Sequence, residues 1–242
     1  MVAVASKTFL TLCQDYSREV MFSQLSAVPT TVIGQTGRLL SGVENIRQSW
    51  IDIQNRHETW RWMRSSFSLQ TTASDDSYAF TDATDDLTSA TIDRFARWRF
   101  EDPEDPPKGF LTSDGVGTEI WLIWVPWDWF RRIYLRGTQT DSTPAHISID
   151  PQNNIRLGPK PDNIYTISGS YQRSPLDFTL DADVPDMPQQ FHNLIWSEAI
   201  GLYGMNHVAA HIVAKHAKLA NKRMRQLEND QLPDLYIDAP MA

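Results

Sequence analysis

From Asp186 to Asp230 the apolar residues recur at spacings of three and four. One stripe holds Phe191, Leu194, Ile195, Ala199, Leu202, Met205, Ala209, Ile212, Val213, Leu219, Ala220, Met224 and Leu227, the period of an amphipathic helix. Asp186 and Gln189 are spaced as a capping box, and Pro188 fits the first turn. A second face carries Trp196, Ile200, Tyr203 and Val208. The first half of the stretch is therefore apolar nearly all round and predicts burial on both sides. Lysines and arginines at 215, 218, 222, 223 and 225 mark the second half. As a single helix the stretch would be a rod roughly 60 Å long. The expectation is that one side packs on its own chain and the other, through Trp196, Ile200, Tyr203 and Val208, on a neighbouring subunit.

Two shorter helices precede it. Phe9, Leu12, Cys13, Tyr16 and Val20 share one face behind a cap at Ser6 or Thr8. Leu40, Val43, Ile46, Trp50, Ile53 and His57 form the stripe of a helix from about Thr36 to Trp60. After Arg64 the period changes to two. Strands are expected around Phe67 and Leu69, around Tyr78 and Phe80, over Ile92–Phe100 and Ile120–Val125, and over His146–Ile149, Ile155–Leu157 and Tyr165–Tyr171. Pro126 opens a short helix through Tyr134. The three prolines at 103, 106 and 107 mark a loop. The predicted fold is α+β: a helical bundle built on one long C-terminal helix, with a β-rich domain inserted between the second helix and the long one. The helical body is residues 1–62 plus 186–230, and the insert, 63–185, projects from one end of it. In 231–242, Leu232, Leu235, Tyr236 and Ile237 lack a partner within their own segment. Frayed termini tend to be polar, so these four read as a docking peptide.

Composition narrows the function. The 242 residues suffice for a sizeable core. A net charge of −8 argues against bulk attraction to nucleic acid. The single cysteine, Cys13, excludes a disulfide scaffold and suits a reducing compartment. Met1–Lys7 lacks a basic region followed by an apolar one, so no secretory signal is expected. Glu198, Asn206, His207 and His211 interrupt the most apolar run, so no membrane span is expected either. Nine tryptophans point to large buried aromatic contacts, in a core or between subunits.

The usual catalytic constellations are weak. His207 and His211 share a helix face as zinc ligands can, without the glutamate a metalloprotease uses as base. Six aspartates lie between Arg64 and Arg94 with no lysine or arginine among them, but they lack the glycine and closing glutamate of a calcium loop. Gly34-Gln35-Thr36-Gly37 lacks the lysine of a phosphate loop, and there is no Gly-x-Ser-x-Gly elbow. Cys13 reads as core. No catalytic residue, metal or cofactor is expected. Trp121, Trp124, Trp127 and Trp129 could stack a sugar or a base, but base stacking wants basic partners and the chain is acidic. Packing is the better reading, with Trp124, Trp127 and Trp129 the candidates for contacts of the β lobe. The cationic half of the long helix reads as a solvated face rather than a DNA contact.

The run Pro29-Thr30-Thr31-Val32-Ile33-Gly34-Gln35-Thr36-Gly37, then Trp50 to His57 and Trp60-Arg61-Trp62-Met63-Arg64, resembles the N-terminal part of the head-to-tail adaptor proteins of tailed bacteriophages. Asp186-Met187-Pro188, Phe191-His192 and the closing Arg225 to Pro233 resemble their C-terminal part. The resemblance implies a non-enzymatic protein of the virion head–tail junction, assembled in the cytoplasm of a bacterial host. It implies a ring of about twelve copies beneath the portal protein. A tail or nozzle protein would sit below, and double-stranded DNA would pass through in transient contact. Portal docking would fall to Leu232, Leu235, Tyr236 and Ile237. An acidic protein around a DNA channel would not hold passing phosphates by counterion release. The competing reading is a tail-associated protein that binds or degrades carbohydrate or cell wall with the Trp-rich β domain. It needs two carboxylates facing each other, for which Asp102, Glu104, Asp105 and Glu119 are available.

Overall fold

A computed structural model describes residues 6–20, 28–102, 105–203 and 210–232. Its helices are α1 (Phe9–Val20), α2 (Gly37–Asn55), α3 (Trp127–Tyr134), α4 (His192–Tyr203) and α5 (Ala210–Gln231). The chain divides into two compact units, Met1–Met63 with Pro175–Ala242, and Arg64–Ser174.

In the helical unit, Thr8 caps α1: its hydroxyl oxygen accepts the Thr11 N–H at 3.3 Å. Phe9, Leu12, Cys13 and Tyr16 are buried along one face. Thr36 precedes α2, which buries Val43, Ile46, Trp50 and Ile53. The helix stops at Asn55, short of the predicted end. The chain then turns so that the Trp60 indole N–H donates to the Ile53 carbonyl at 2.9 Å, satisfying one of the acceptors a helix end leaves open.

Residues 175–185, expected in the β insert, pack with the helices instead. Phe178 stacks on Phe9 at 4.8 Å and on Trp50 at 5.5 Å. The Gln54 amide clamps Leu176 from both sides, donating to its carbonyl at 2.9 Å and accepting its N–H at 2.7 Å. The carbonyls of Asp183 and Asp181 accept the N–H groups of Phe9 and Leu10 in the first turn of α1, at 2.7 and 3.2 Å. This segment is irregular because its backbone is spent on helix ends.

The C-terminal stretch departs from the single rod. One 3-10 turn, Gln189–Phe191, follows Pro188 and leads into α4. Arg223 of α5 donates to the Asn193 carbonyl at 2.8 Å and to the Ser197 hydroxyl at 2.7 Å. Further along, a Cβ on Gly201 would lie 3.1 Å from the Ala217 Cα. Residue numbers run in opposite directions along the contact, so α4 and α5 form an antiparallel hairpin. The apolar excess of α4 is thus covered by the second half of the same stretch. Ile200 is completely buried. Trp196 lies 5.1 Å from the His216 ring, with the Arg223 guanidinium 6.0 Å over it.

The β unit holds two sheets. The strands are β1 (Arg64–Gln70), β2 (Ser77–Tyr78), β3 (Thr84–Asp85), β4 (Arg97–Trp98), β5 (Lys108–Leu111), β6 (Ile120–Trp121), β7 (Ile123–Trp124), β8 (His146–Ile149), β9 (Ile155–Gly158) and β10 (Tyr165–Gln172). One sheet runs β3-β1-β10-β5-β6, with β4 also on β10; the other runs β2-β9-β8-β7. The central pair, β1 and β10, is antiparallel from Arg64↔Gln172 to Gln70↔Thr166. Phe67, Leu69, Ile167 and Tyr171 point into the core with Ile147 and Leu157 of the second sheet.

Two predicted strands dissolve. In Ile92–Phe100 only Arg97–Trp98 pairs; Phe95 stacks on Phe80 at 4.9 Å and Trp98 packs on Phe67 at 4.6 Å. Ile120–Val125 splits into two dipeptide strands, one in each sheet. The expected helix α3 forms, and Tyr134 anchors it: its hydroxyl meets His146 Nδ1 at 2.7 Å. A Cβ on Gly158 would be 2.5 Å from the Tyr134 ring, so only glycine leaves room for it.

Candidate functional site

No group of three or more His, Cys, Asp or Glu residues that could hold a metal occurs among the described residues. His211 is exposed, and His207 lies outside those residues. Cys13 is buried, and burial, with the Asp181 charge added, pushes its thiol up to about 12, the wrong direction for a nucleophile. The carboxylates proposed for a glycosidase are each engaged separately. Asp102 meets Arg99 at 3.4 Å, Asp105 accepts from the Ser170 hydroxyl at 2.8 Å, and Glu119 lies 3.7 Å from Lys108; Glu104 lies outside the described residues. A concavity of about 350 Å³ is lined by Arg97, Trp98, Arg99, Glu101 and Asp102. Its two carboxylates are sequence neighbours rather than a pair opposed across a cleft.

A second cleft, in the helical unit, measures about 120 Å³ and is lined by Arg56, Glu198, Gly201, Leu202 and Ala217 among others. That is well below the roughly 300 Å³ at which small-molecule sites begin. Glu198 is buried and meets Arg56 at 2.5 Å. Burial raises its carboxyl above the ordinary range; Arg56 opposes the shift, and Asp52 and Glu228 reinforce it. The cleft reads as a packing junction of α2, α4 and α5.

The surfaces available to partners are more informative. Of the four residues assigned to a subunit interface, Ile200 has no exposed surface to offer. Trp196 and Tyr203 are half-buried, the Tyr203 hydroxyl donating to Asp52 at 2.5 Å. Val208 lies outside the described residues. Of the docking residues, Leu232 is half-buried against the helical core; Leu235, Tyr236 and Ile237 lie outside the described residues. On α5, Lys218, Lys222 and Arg225 share an exposed face.

In the β unit, Trp124, Trp127 and Trp129 are half-buried. Trp127 stacks on Phe130 at 6.0 Å with Arg156 5.9 Å over its ring, and Trp129 sits 5.2 Å from His146. The tryptophan left open is Trp121, 70 % exposed, with Val116 and Ile123 nearby at 71 and 60 %. The sequence offered Trp121 as a stacking candidate and Ile123 only as part of an apolar strand, because nothing in the run Ile120–Val125 shows that it changes sheets after Trp121. On the far edge of the first sheet, Asp85 organises a rigid turn. Its carboxylate accepts from the hydroxyls of Ser65 (2.8 Å) and Tyr171 (2.5 Å) and from the amides of Leu87 (2.8 Å) and Thr88 (3.1 Å). Burial alone would raise its pKa; these bonds outweigh burial and hold it low. The turn presents Leu87, 75 % exposed.

The β unit thus exposes several large apolar side chains, Leu87, Val116, Trp121 and Ile123 foremost, to the surroundings. No helix among the described residues is long and apolar enough to cross a membrane. A comparison with curated proteins gives no match. A family model described as SU10 adaptor protein matches residues 8–240. The chain therefore belongs to the SU10 adaptor protein family, and its role is that of a structural adaptor in a phage.

Proposed function

Starting from that membership, we propose that the chain forms a closed ring beneath the portal at the head–tail junction of the virion. The ring joins the capsid vertex to a tail or nozzle protein and lets double-stranded DNA pass. The observation that carries the reading is a family match spanning both the helical and the β unit. Support comes from the exposed apolar side chains of the β unit and from the composition of 233–242, where Leu235, Tyr236 and Ile237 stand between Asp234 and Asp238. These three residues, continuing from Leu232, dock on the portal. A heterologous contact that closes makes the ring, and the resemblance to head-to-tail adaptors implies about twelve copies in it. Assembly takes place in the host cytoplasm, and the role requires no turnover and no cofactor.

Electron microscopy of the purified chain, alone and mixed with a portal ring, tests this. The expected result is a ring seated under the portal, with extra density entering it. Removing residues 233–242 spares Leu232 and the helical core; portal binding should then vanish while circular dichroism stays unchanged. A chain that stays monomeric and ignores the portal ends the proposal.

A further inference from the structure

The N–H groups at the start of a helix have no acceptor within it, and those of α1 are taken mostly by residues far away in the chain. The Phe9 N–H donates to the Asp183 carbonyl and the Leu10 N–H to the Asp181 carbonyl, while the Thr11 N–H turns to Thr8. On the approach to the helix, the Lys7 N–H donates to Nδ1 of His192, 185 residues on, at 3.1 Å. His192 opens α4. One imidazole therefore fastens the chain that leads into α1 to the first turn of α4.

That ring is 1 % exposed, and both of its nitrogens are committed. Nδ1 accepts from Lys7, which a protonated nitrogen cannot do. The hydrogen therefore sits on Nε2, which donates it to the Met187 carbonyl at 3.0 Å. A second proton has only Nδ1 to go to, where it would point straight at the Lys7 N–H. The imidazolium would also stand at the N-terminal ends of α1 and α4, the positive ends of their dipoles. The charges around it give no relief. The Lys7 ammonium is paired with Asp15. Arg223 of α5 donates to the carbonyl of Asn193, the next residue of α4, at 2.8 Å, and Asp230 of α5 is engaged by Gln231 at 2.7 Å. On the segment before α4, Asp181 accepts from the Val32 N–H at 2.6 Å, and Asp183 from those of Thr179 and Leu180 at 2.6 and 2.7 Å, with Asp186 further along. Glu198 of α4 is turned to Arg56. Among these charges it is Lys7 that acts on the ring, and it opposes a further proton.

We infer that His192 is an acid-released latch: neutral, it holds the chain entering α1 against α4; protonated, it expels the Lys7 N–H and lets that entry swing away. What opens is short. Phe9, Leu12, Cys13 and Tyr16 are buried and keep α1 itself in the core, and Lys7 stays tied to α1 through Asp15. Opening also brings water to Nδ1, the partner that a buried imidazolium lacks. The device belongs to a single chain and holds whether or not copies assemble into a ring.

Hydrogen exchange on the full chain tests it, expressed as protection factors so that the intrinsic effect of pH divides out. Between about pH 7.5 and about pH 5, the range in which histidine titrates, the Lys7 amide should lose more than about tenfold of its protection. Amides in the middle of α2 should keep theirs. In the same titration the ring nitrogens of His192, followed by NMR, should report the Nε2–H tautomer at high pH and an imidazolium where Lys7 opens; this reading needs no variant. His192→Gln keeps an acceptor for Lys7 and a donor for Met187 but does not titrate, so its Lys7 amide should stay protected throughout. A parent Lys7 amide that stays protected across the range, or a His192→Gln protein whose Lys7 amide opens at the same midpoint, overturns the latch. A parent in which Lys7 and α2 lose protection together also overturns it, since acid then unfolds the unit as a whole.

Discussion

The hairpin of α4 and α5 replaces a single rod, and a substitution at Gly201, inside α4, tells the two arrangements apart. In a continuous, solvent-flanked helix, replacing this glycine by leucine gains about 1 kcal/mol of helix propensity. In the hairpin a Cβ there lies 3.1 Å from the Ala217 Cα, 3.3 Å from its N and 3.4 Å from its Cβ. Backbone atoms cannot turn aside as a rotamer can, so a leucine must push the helices apart. Overpacking of that kind costs about 1–3 kcal/mol, and separation would also stretch the bonds from Arg223 to Asn193 and Ser197. The net expectation for Gly201→Leu is a loss of about 1–2 kcal/mol after the propensity gain. Gly201→Ala, needing only a few tenths of an ångström, should come out near neutral. Thermal or urea unfolding followed by circular dichroism reads both, the leucine variant melting lower by about 2–4 °C per kcal/mol. A Gly201→Leu protein as stable as the parent, or more so, would show that Ala217 does not face this position and would restore the rod.

Two further outcomes follow from buried titratable groups. His192 is 1 % exposed, its Nδ1 accepting the Lys7 N–H at 3.1 Å and its Nε2 meeting the Met187 carbonyl at 3.0 Å. Burial, aided by the Lys7 charge and partly offset by the Met187 carbonyl, lowers its pKa, so below about pH 6.5 the unfolded chain binds the proton more readily and stability falls with acidification. The slope contributed is at most about 1.4 kcal/mol per pH unit, and it should flatten in His192→Gln; equal slopes in parent and variant between pH 5 and 6.5 would refute the assignment. Cys13, with its thiol raised to about 12, should resist alkylation in the native protein and react only at the rate of unfolding; labelling within seconds under native conditions would place it at the surface.

How much of this was legible depends on what each pattern reports. The faces of α1 and α2 follow directly from Phe9, Leu12, Cys13 and Tyr16 and from Val43, Ile46, Trp50 and Ile53, because a helix lying on a core writes its period into the sequence. The hairpin was hidden for the same reason. Both α4 and α5 turn apolar residues toward one helical core, so their stripes continue in phase and read as one helix. The signals of a break were Gly201 and Gly204, which cost a helix about 1 kcal/mol each relative to alanine. The place of 175–185 had no signal at all: Phe178 is one aromatic in an irregular stretch, and its partners, Phe9 and Trp50, are far away in the chain. On the β side, the alternation through Tyr165, Ile167 and Tyr171 marked the central strand. The uniform run Ile120–Val125 could not show which of its side chains face water.

The hairpin also shifts the argument for assembly. Read as a rod, the chain needed a neighbour because α4 was apolar on two sides, and the contact would have been a large hydrophobic one. Folded back, α4 spends most of its apolar surface internally, with Leu202 left 50 % exposed: Ile200 is closed off, Trp196 packs against His216, and the Ser49 hydroxyl donates to the Ile195 carbonyl at 2.9 Å. The apolar surface left for partners on the β unit is led by Leu87, Val116, Trp121 and Ile123, with Ile120, Ile133, Leu135 and Ile164 less exposed. Interfaces built on such side chains owe their affinity to a few buried anchors. An assembly joined by such contacts, repeated around a ring, can be strong collectively while each contact stays modest.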